Sequence, residues 1–282
     1  MIWRLGTVPY LNADPLTAAL RQPDAALLVG DAVRLSAAVP SQLLPELLAG
    51  QLDAALVSIG GILPHPNLCL LPDMAIASCG PVRSIQLYSR RPLADIRIVA
   101  LDASSRSAVA LTRVLFAEWW GGRPEFRTMP PDLPLMLEQA DAALLIGNPA
   151  LQANQRIQSG ELPYPGLRQW DLGEEWDRLT GLPFVYAAWA SPRDGDLERL
   201  TGVLLRAKEW GLRRRGLLAV RGSQELGLPL SVTQEYLDDA IRYDLGPAAK
   251  RGMQLFCSLG IRHGVFPPNA AVRLNEPVLA GV

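Results

Sequence analysis

Residues 2–20, IWRLGTVPYLNADPLTAAL, contain a complete strand, turn and helix. Residues 2–8 predict a strand, which the next residue ends because proline has no N–H to donate within a sheet. Tyr10 and Asn12 lie in the turn, and Pro15 suits the first turn of the helix that follows. Polar residues are therefore expected at the carboxyl end of a strand, directly before a helix.

The same order of strand and helix recurs along the chain. Buried or half-buried strands are predicted at residues 32–37, 53–57, 98–101, 142–146 and 184–190. Helical segments follow most of these strands, as in proteins built from strand–helix–strand units. This order predicts an α/β protein with mostly parallel strands.

Two extended stretches, residues 84–89 and 184–190, divide the predicted architecture into two lobes. The first lobe is expected to contain residues 1–88 together with residues 189–282, and the second lobe residues 89–188. The first lobe is then discontinuous, and the chain crosses between the lobes twice.

The composition is that of an ordinary globular protein. Of 282 residues, 49% are hydrophobic and 20% charged, which is sufficient for a substantial core. The net charge of -1 and the lack of a long basic stripe argue against a nucleic-acid partner. No apolar run approaches the roughly 18 residues that span a membrane, and the first residues lack the pattern of an export signal. We expect a cytoplasmic protein with no membrane partner.

The sequence lacks the common signatures of metal and cofactor sites. Its three cysteines and two histidines are widely spaced and form no CxxC or HExxH pattern. It also lacks the glycine-rich loops that bind nucleotides and the GxSxG turn of many hydrolases. We therefore expect no metal and no cofactor, and no side chain is marked out as a general base.

Several polar clusters follow a predicted strand and precede a helix. In open α/β sheets this is where ligands bind, and free N–H groups at the start of a helix favour anions. The residues in these positions are Tyr10, Asn12, Ser58, Ser104, Ser105, Arg106, Ser107 and Asn148.

The cluster Ser104–Ser107 has two interpretations that the pattern leaves open. Its hydroxyls and guanidinium can hold a carboxylate, to which arginine donates paired hydrogen bonds. Alternatively, Ser104 or Ser105 caps the next helix while Arg106 is solvated. Asn12 also has two interpretations, because the side chain of an asparagine in a turn often hydrogen-bonds to the backbone of that turn.

Ordered blocks of sequence resemble the chorismate dehydratases of the futalosine route to menaquinone. The blocks are VPYLNxxPL (residues 8–16), PSxL (40–43), LxGxLDAAL (48–56), IASxGPVxS (76–84), LDxSSRS (101–107), DAxLLIG (141–147), DLGxxW (171–176) and LTGLPFVYA (179–187). They cover about the first two thirds of the chain.

The resemblance implies a two-lobed fold like that of type II periplasmic binding proteins, with a central ligand cleft. It also implies that the protein removes water from chorismate to give 3-[(1-carboxyvinyl)oxy]benzoate. By this resemblance Asn12 and Ser84 are the catalytic residues, and the other strand-end residues bind the substrate. Two departures from the family pattern are Ser107 and Ala108 in place of threonine and serine, and Asn148 in place of an aspartate.

Three other functions fit the same fold. A solute-binding protein is expected to carry an export signal, which the sequence lacks. A later enzyme of the futalosine route acts on a different substrate, and the Tyr-Leu-Asn turn at residues 10–12 favours the chorismate enzyme. A ligand-sensing domain of a transcription regulator is expected to follow a DNA-binding segment, which is not found here.

Overall fold

The computed structural model describes residues 2–275. Its strands are β1 (Ile2–Thr7), β2 (Ala32–Ala37), β3 (Ala54–Ser58), β4 (Leu68–Ser78), β5 (Ile85–Ser89), β6 (Ile98–Asp102), β7 (Glu125–Met129), β8 (Ala142–Ile146), β9 (Arg168–Asp171) and β10 (Phe184–Pro192). Each strand predicted from the sequence is present, with ends within two residues of the prediction.

Helices connect these strands and form the C-terminal part. The α-helices are α1 (Asp14–Thr17), α2 (Ala25–Val29), α3 (Pro40–Leu48), α4 (Ile59–Ile62), α5 (Ser107–Leu115), α6 (Leu133–Gln139), α7 (Gly147–Gln158), α8 (Leu172–Thr180), α9 (Leu197–Leu212), α10 (Arg215–Leu226), α11 (Leu230–Glu235) and α12 (Pro247–Arg262). The 3₁₀ segments are Leu11–Ala13, Ala18–Arg21 and Leu93–Asp95, and the π-helical turns are Phe116–Trp120 and Tyr236–Ala240. Within residues 2–275, none of the helices is long and apolar enough to cross a membrane.

The strands form two five-stranded sheets, one in each lobe. The order is β2-β1-β3-β10-β4 in the first sheet and β7-β6-β8-β5-β9 in the second. The sheets thus assign β5 to the second lobe and β10 to the first. The exact lobe boundaries at residues 88 and 188 stay a prediction.

The expectation of mostly parallel strands is confirmed for strand direction: in each sheet four of the five strands run the same way and one is reversed. Strands β1, β2 and β3 are parallel, as are β6, β7 and β8. Strands β5 and β10, however, pair antiparallel with both of their neighbours. Each of these two strands is the first strand after the chain crosses from one lobe into the other. It therefore runs opposite to its neighbours, which are connected by helices within the lobe.

An aromatic cluster joins the lobes beside the start of β10. Trp176 of α8 packs edge-on against Phe184 of β10 at 5.2 Å between ring centroids, and Phe184 packs against Phe256 of α12 at 4.8 Å. Trp176, Phe184 and Phe256 are all essentially inaccessible to solvent. Burial of three such rings contributes several kcal/mol to holding the lobes together.

Candidate functional site

A cavity lies between the lobes at the carboxyl ends of strands from both sheets. The space within it is about 500 Å³, part of which is open to solvent. The residues that line it are Val8, Tyr10, Asn12, Pro40, Ser58, Ile76, Ile85, Ser105, Ser107, Ala108, Ile146, Gly147, Tyr186 and Ala187.

Five of the residues predicted from strand ends are brought together in this lining, namely Tyr10, Asn12, Ser58, Ser105 and Ser107. They meet because the carboxyl ends of β1, β3 and β6 converge at the cleft. Of the other predicted residues, Ser104 bonds to Tyr10 and the carbonyl of Ser84 accepts from Gly147 N. Asn148 bonds to the backbone of Pro9 and Leu11, on either side of Tyr10. The binding and catalytic roles assigned to these residues stay predictions.

Asn12 and Ser84 are linked through the hydroxyl of Tyr236. Asn12 Nδ2 donates to Tyr236 Oη at 2.9 Å, and Tyr236 Oη donates to Ser84 Oγ at 2.7 Å. Asn12 Oδ1 is buried and has no hydrogen-bond partner among the described residues. A buried acceptor without a donor costs about 1–3 kcal/mol, so the free oxygen on the cavity wall is suited to a donor on a ligand.

Ser58 and Ser107 join the lobes at the floor of the cavity. Their Oγ atoms are 2.7 Å apart, and Ser107 N donates to Ser58 Oγ at 2.8 Å. Ser107 Oγ also donates to the carbonyl of Tyr186 at 2.7 Å and accepts from Gly60 N at 3.0 Å. These two hydroxyls are therefore fully engaged in holding the closed arrangement.

The Tyr10 turn closes the cavity from the first lobe. Tyr10 Oη donates to Ser104 Oγ at 3.2 Å. Asn148 Oδ1 accepts from Leu11 N at 3.0 Å, and its Nδ2 donates to the carbonyl of Pro9 at 3.3 Å. Ser104 and Asn148 belong to the second lobe, so this turn fastens one lobe to the other. Burial raises the pKa of Tyr10, which therefore remains a neutral phenol.

Asp102, which sequence reasoning did not select, organises the second-lobe side of the site. Its Oδ1 accepts from Ser104 N at 2.8 Å and from Ser104 Oγ at 2.5 Å, while its Oδ2 accepts from Ile146 N at 3.2 Å. Burial raises the pKa of this carboxyl, and the bonds from Ser104 offset part of that rise. Asp102 thus fixes the ends of β6 and β8 relative to each other.

Asp171, also missed, holds the loop that carries Ser84. Its carboxylate accepts from the backbone N–H groups of Val82 and Arg83 at 2.9 and 2.6 Å, and from Gln86 Nε2 at 2.6 Å. It also caps α8 by accepting from the first N–H groups of that helix. Arg83 has a φ of 63°, a left-handed conformation that non-glycine residues rarely adopt. The bonds to Asp171 stabilise this turn and so place Ser84.

Arg106 does not line the cavity. Its side chain is exposed and passes Gly61 of α4. Burial of the His65 ring and the nearby positive charge of Arg106 both lower the pKa of His65. Ser105 Oγ accepts from Ala108 N at 3.1 Å, which is the contact expected of a helix cap. The role of Arg106 as an anchor for a carboxylate stays a prediction.

The electrostatics of the cavity come from helix ends and hydroxyl groups. Among the lining residues, all of which lie in the described part of the chain, there is no Asp, Glu, Lys, Arg or His. The helices α5 and α7 both begin at the cavity, through Ser107 and Gly147. Helix N-termini carry a partial positive charge, so a small anion with apolar surface suits this site.

No metal-binding group is found in residues 2–275, where no three His, Cys, Asp or Glu side chains are grouped to hold an ion. The expectation that the protein needs no metal or cofactor stays a prediction.

Two lobes that close on a strand-end cavity define a protein of the periplasmic-binding-protein fold, as predicted. The alkanesulfonate-binding protein of Xanthomonas axonopodis pv. citri, solved with MOPS, is 18% identical, with a TM-score of 0.66 over 96% of each chain. A Candida albicans protein described as having this generic fold is 11% identical, with a TM-score of 0.62 over 98% of this chain and 99% of that one.

The family follows from the sequence. A family model described as menaquinone biosynthesis matches residues 3–261. A chorismate dehydratase of Thermus thermophilus is 32% identical over an alignment of 268 residues, which covers 91% of this chain and 95% of the relative. This protein belongs to the menaquinone biosynthesis family, and the resemblance seen in its sequence blocks is confirmed.

Proposed function

We propose that this protein is a chorismate dehydratase, a carbon–oxygen lyase that acts in menaquinone biosynthesis. The hydrogen at C3 of chorismate and the hydroxyl at C4 leave as one water, and 3-[(1-carboxyvinyl)oxy]benzoate remains. The observation that carries the proposal is the 32% identity, over 91% of the chain, to a relative named as this enzyme.

The chemistry of the cavity supports this reaction. Chorismate is a dianion with much apolar surface, and the cavity combines apolar walls with the N-termini of α5 and α7. The dianion has one hydrogen-bond donor, its C4 hydroxyl, and Asn12 Oδ1 is a buried acceptor without a partner. The departing C4 hydroxyl can therefore donate a hydrogen bond to Asn12 Oδ1, the site atom that lacks a partner.

The proton at C3 requires a base, and the lining residues include no carboxylate or imidazole. We infer that one of the substrate's own carboxylates accepts this proton and passes it to the departing C4 hydroxyl, which leaves as water. The second N–H of Asn12 Nδ2, which is not used by Tyr236, is available to hold that carboxylate. Since loss of water makes the ring aromatic, orientation and hydrogen bonds to the departing hydroxyl are sufficient catalysis.

The test is turnover of chorismate by the purified protein, in the presence of a chelator and without added cofactor. We expect the cyclohexadiene absorbance to give way to that of an aromatic ring, and mass spectrometry to show the loss of one water. Chorismate that binds and stays intact would identify a binding protein instead. Absence of binding would favour a later substrate of the same route.

The proposed role places the protein in the cytoplasm, where a biosynthetic enzyme of this kind meets chorismate. Cell fractionation of the native organism tests this placement independently of the enzyme assay. Recovery of the protein in an extracytoplasmic fraction would contradict it and would favour solute binding.

Gly147 is expected to control closure of the cavity. Its φ is 62°, and a Cβ added there would lie 2.8 Å from Cδ1 of the Tyr10 ring. Gly147→Ala should therefore displace Tyr10 from Ser104 and lower kcat/KM for chorismate about tenfold, since such strain costs about 1–3 kcal/mol.

The matched control is Gly160→Ala, because Gly160 has a φ of 76° and nothing within 4 Å of the added Cβ. Steady-state kinetics should show a normal kcat/KM for the Gly160 variant. Equal kinetics for both variants would mean that the Tyr10 contact is unimportant for closure.

Arg106→Ala is expected to raise KM for chorismate about 3- to 10-fold, with little change in kcat, if the guanidinium attracts a substrate carboxylate at the cleft. Arg97→Ala is the control, because Arg97 is also exposed but lies at the opposite end of β6. A KM equal to that of the Arg97 variant would show that Arg106 is a solvated surface residue.

A further inference from the structure

Tyr236 is the residue that connects the two proposed catalytic side chains. It lies 224 positions from Asn12 and 152 from Ser84 in the sequence, in the π-helical turn that follows α11. Its side chain is almost fully buried, at 1% exposure, and its hydroxyl contacts Asn12 on one side and Ser84 on the other. No charged group touches that hydroxyl in the described part of the chain.

The direction of these two hydrogen bonds has a chemical consequence. Tyr236 has one hydroxyl hydrogen, and it donates this hydrogen to Ser84 Oγ. The hydrogen of Ser84 itself is then left to be donated elsewhere. Tyr236 Oη accepts a hydrogen bond from Asn12 Nδ2. This bond fixes the amide in the orientation in which Oδ1 has no partner. Asn12 thus presents a free acceptor at the cavity wall, while Ser84, which is fully buried and lies outside the lining, contacts Tyr236 from behind.

We propose that Tyr236 is a positioning residue for the dehydration: held by Ser84, it fixes the amide of Asn12 so that Oδ1 stays free for the departing hydroxyl. This inference rests on the proposed function. Tyr236 itself does not line the cavity. It acts through its two neighbours, and burial keeps it protonated by raising its pKa far above the working range.

The test compares Tyr236→Phe with Tyr243→Phe. Tyr243 is a suitable control because it is also buried, at 3% exposure, and its hydroxyl has no hydrogen-bond partner in the described residues. Tyr236→Phe should lower kcat about 10- to 100-fold with KM within about threefold of the parent. Its melting temperature should fall by roughly 2–8 °C. Tyr243→Phe should leave kcat unchanged.

Combination with Ser84→Ala separates positioning from general stability. If Tyr236 acts through Ser84, the loss of kcat in the double variant should be at least about fivefold smaller than the product of the two single losses. Losses that multiply would overturn the inference, as would a normal kcat per folded molecule in Tyr236→Phe. A parent protein that fails to convert chorismate overturns the proposed function and, with it, this inference.

Discussion

Asn12→Ala is expected to lower kcat for chorismate by about 100- to 1000-fold, which is the usual cost of removing one well-placed polar group from an active site. The variant loses both the free Oδ1 at the cavity wall and the N–H that we assign to the substrate carboxylate. Its free energy of unfolding should fall by no more than about 1–2 kcal/mol, because one hydrogen bond to Tyr236 is lost. Steady-state kinetics and thermal unfolding measure the two effects.

Two further variants make this expectation specific. Asn67→Ala removes an exposed asparagine from a turn away from the cavity and should be indistinguishable from the parent. Asn12→Asp keeps the shape of the side chain but adds a negative charge beside a dianionic substrate, so both KM and kcat should worsen. If Asn12→Ala loses stability and keeps a normal rate per folded molecule, Asn12 is a turn residue and not a catalytic one.

Two of the strands that the sequence predicted share one physical property. β3 and β8 consist entirely of buried residues, and such continuous apolar runs stand out between glycine, proline and polar turns. Their carboxyl ends could therefore be located, and with them the positions of Ser58 and Gly147. The convergence of these ends on one cavity follows from the rule for open α/β sheets.

Two of the strands that were not predicted, β7 and β9, lack such a signal. β7 and β9 lie at the edges of the second sheet, and most of their residues are exposed or half-buried. Their sequences, EFRTM and RQWD, show neither an apolar run nor a regular alternation. Edge strands are held by backbone hydrogen bonds to one neighbour, and those bonds do not require a particular pattern of side chains.

Site residues could be predicted only where neighbouring residues in the sequence fix their position. Asn12 and Ser107 follow strands directly, so the position of a strand end locates them. Tyr236 reaches the site from the C-terminal helices, which the resemblance hardly covers, and only the tertiary fold brings its hydroxyl to Asn12. For Arg106 the pattern located the turn but left the direction of the side chain open, and in the structure the side chain is exposed and does not line the cavity.

Asp171 carries the largest expected effect on stability. It lies at the end of β9, and its buried carboxylate accepts five hydrogen bonds: from Val82 N, Arg83 N, Gln86 Nε2, Gly173 N and Glu174 N. Asp171→Ala leaves these donors without an acceptor where water has poor access. We expect the free energy of unfolding to fall by about 3–5 kcal/mol, as when one partner is removed from a buried polar network.

Asp132→Ala provides the matched control, because Asp132 also caps a helix but is exposed and accepts from Leu135 N alone. Its loss should cost about 1 kcal/mol. Urea unfolding followed by circular dichroism compares the two variants, and similar midpoints would show that the bonds to Asp171 add little to stability. Asp171 also supports the loop before Ser84, so kcat per folded molecule should fall at least tenfold in Asp171→Ala and stay normal in Asp132→Ala. A stability loss without this loss of rate would mean that Ser84 keeps its place independently of Asp171.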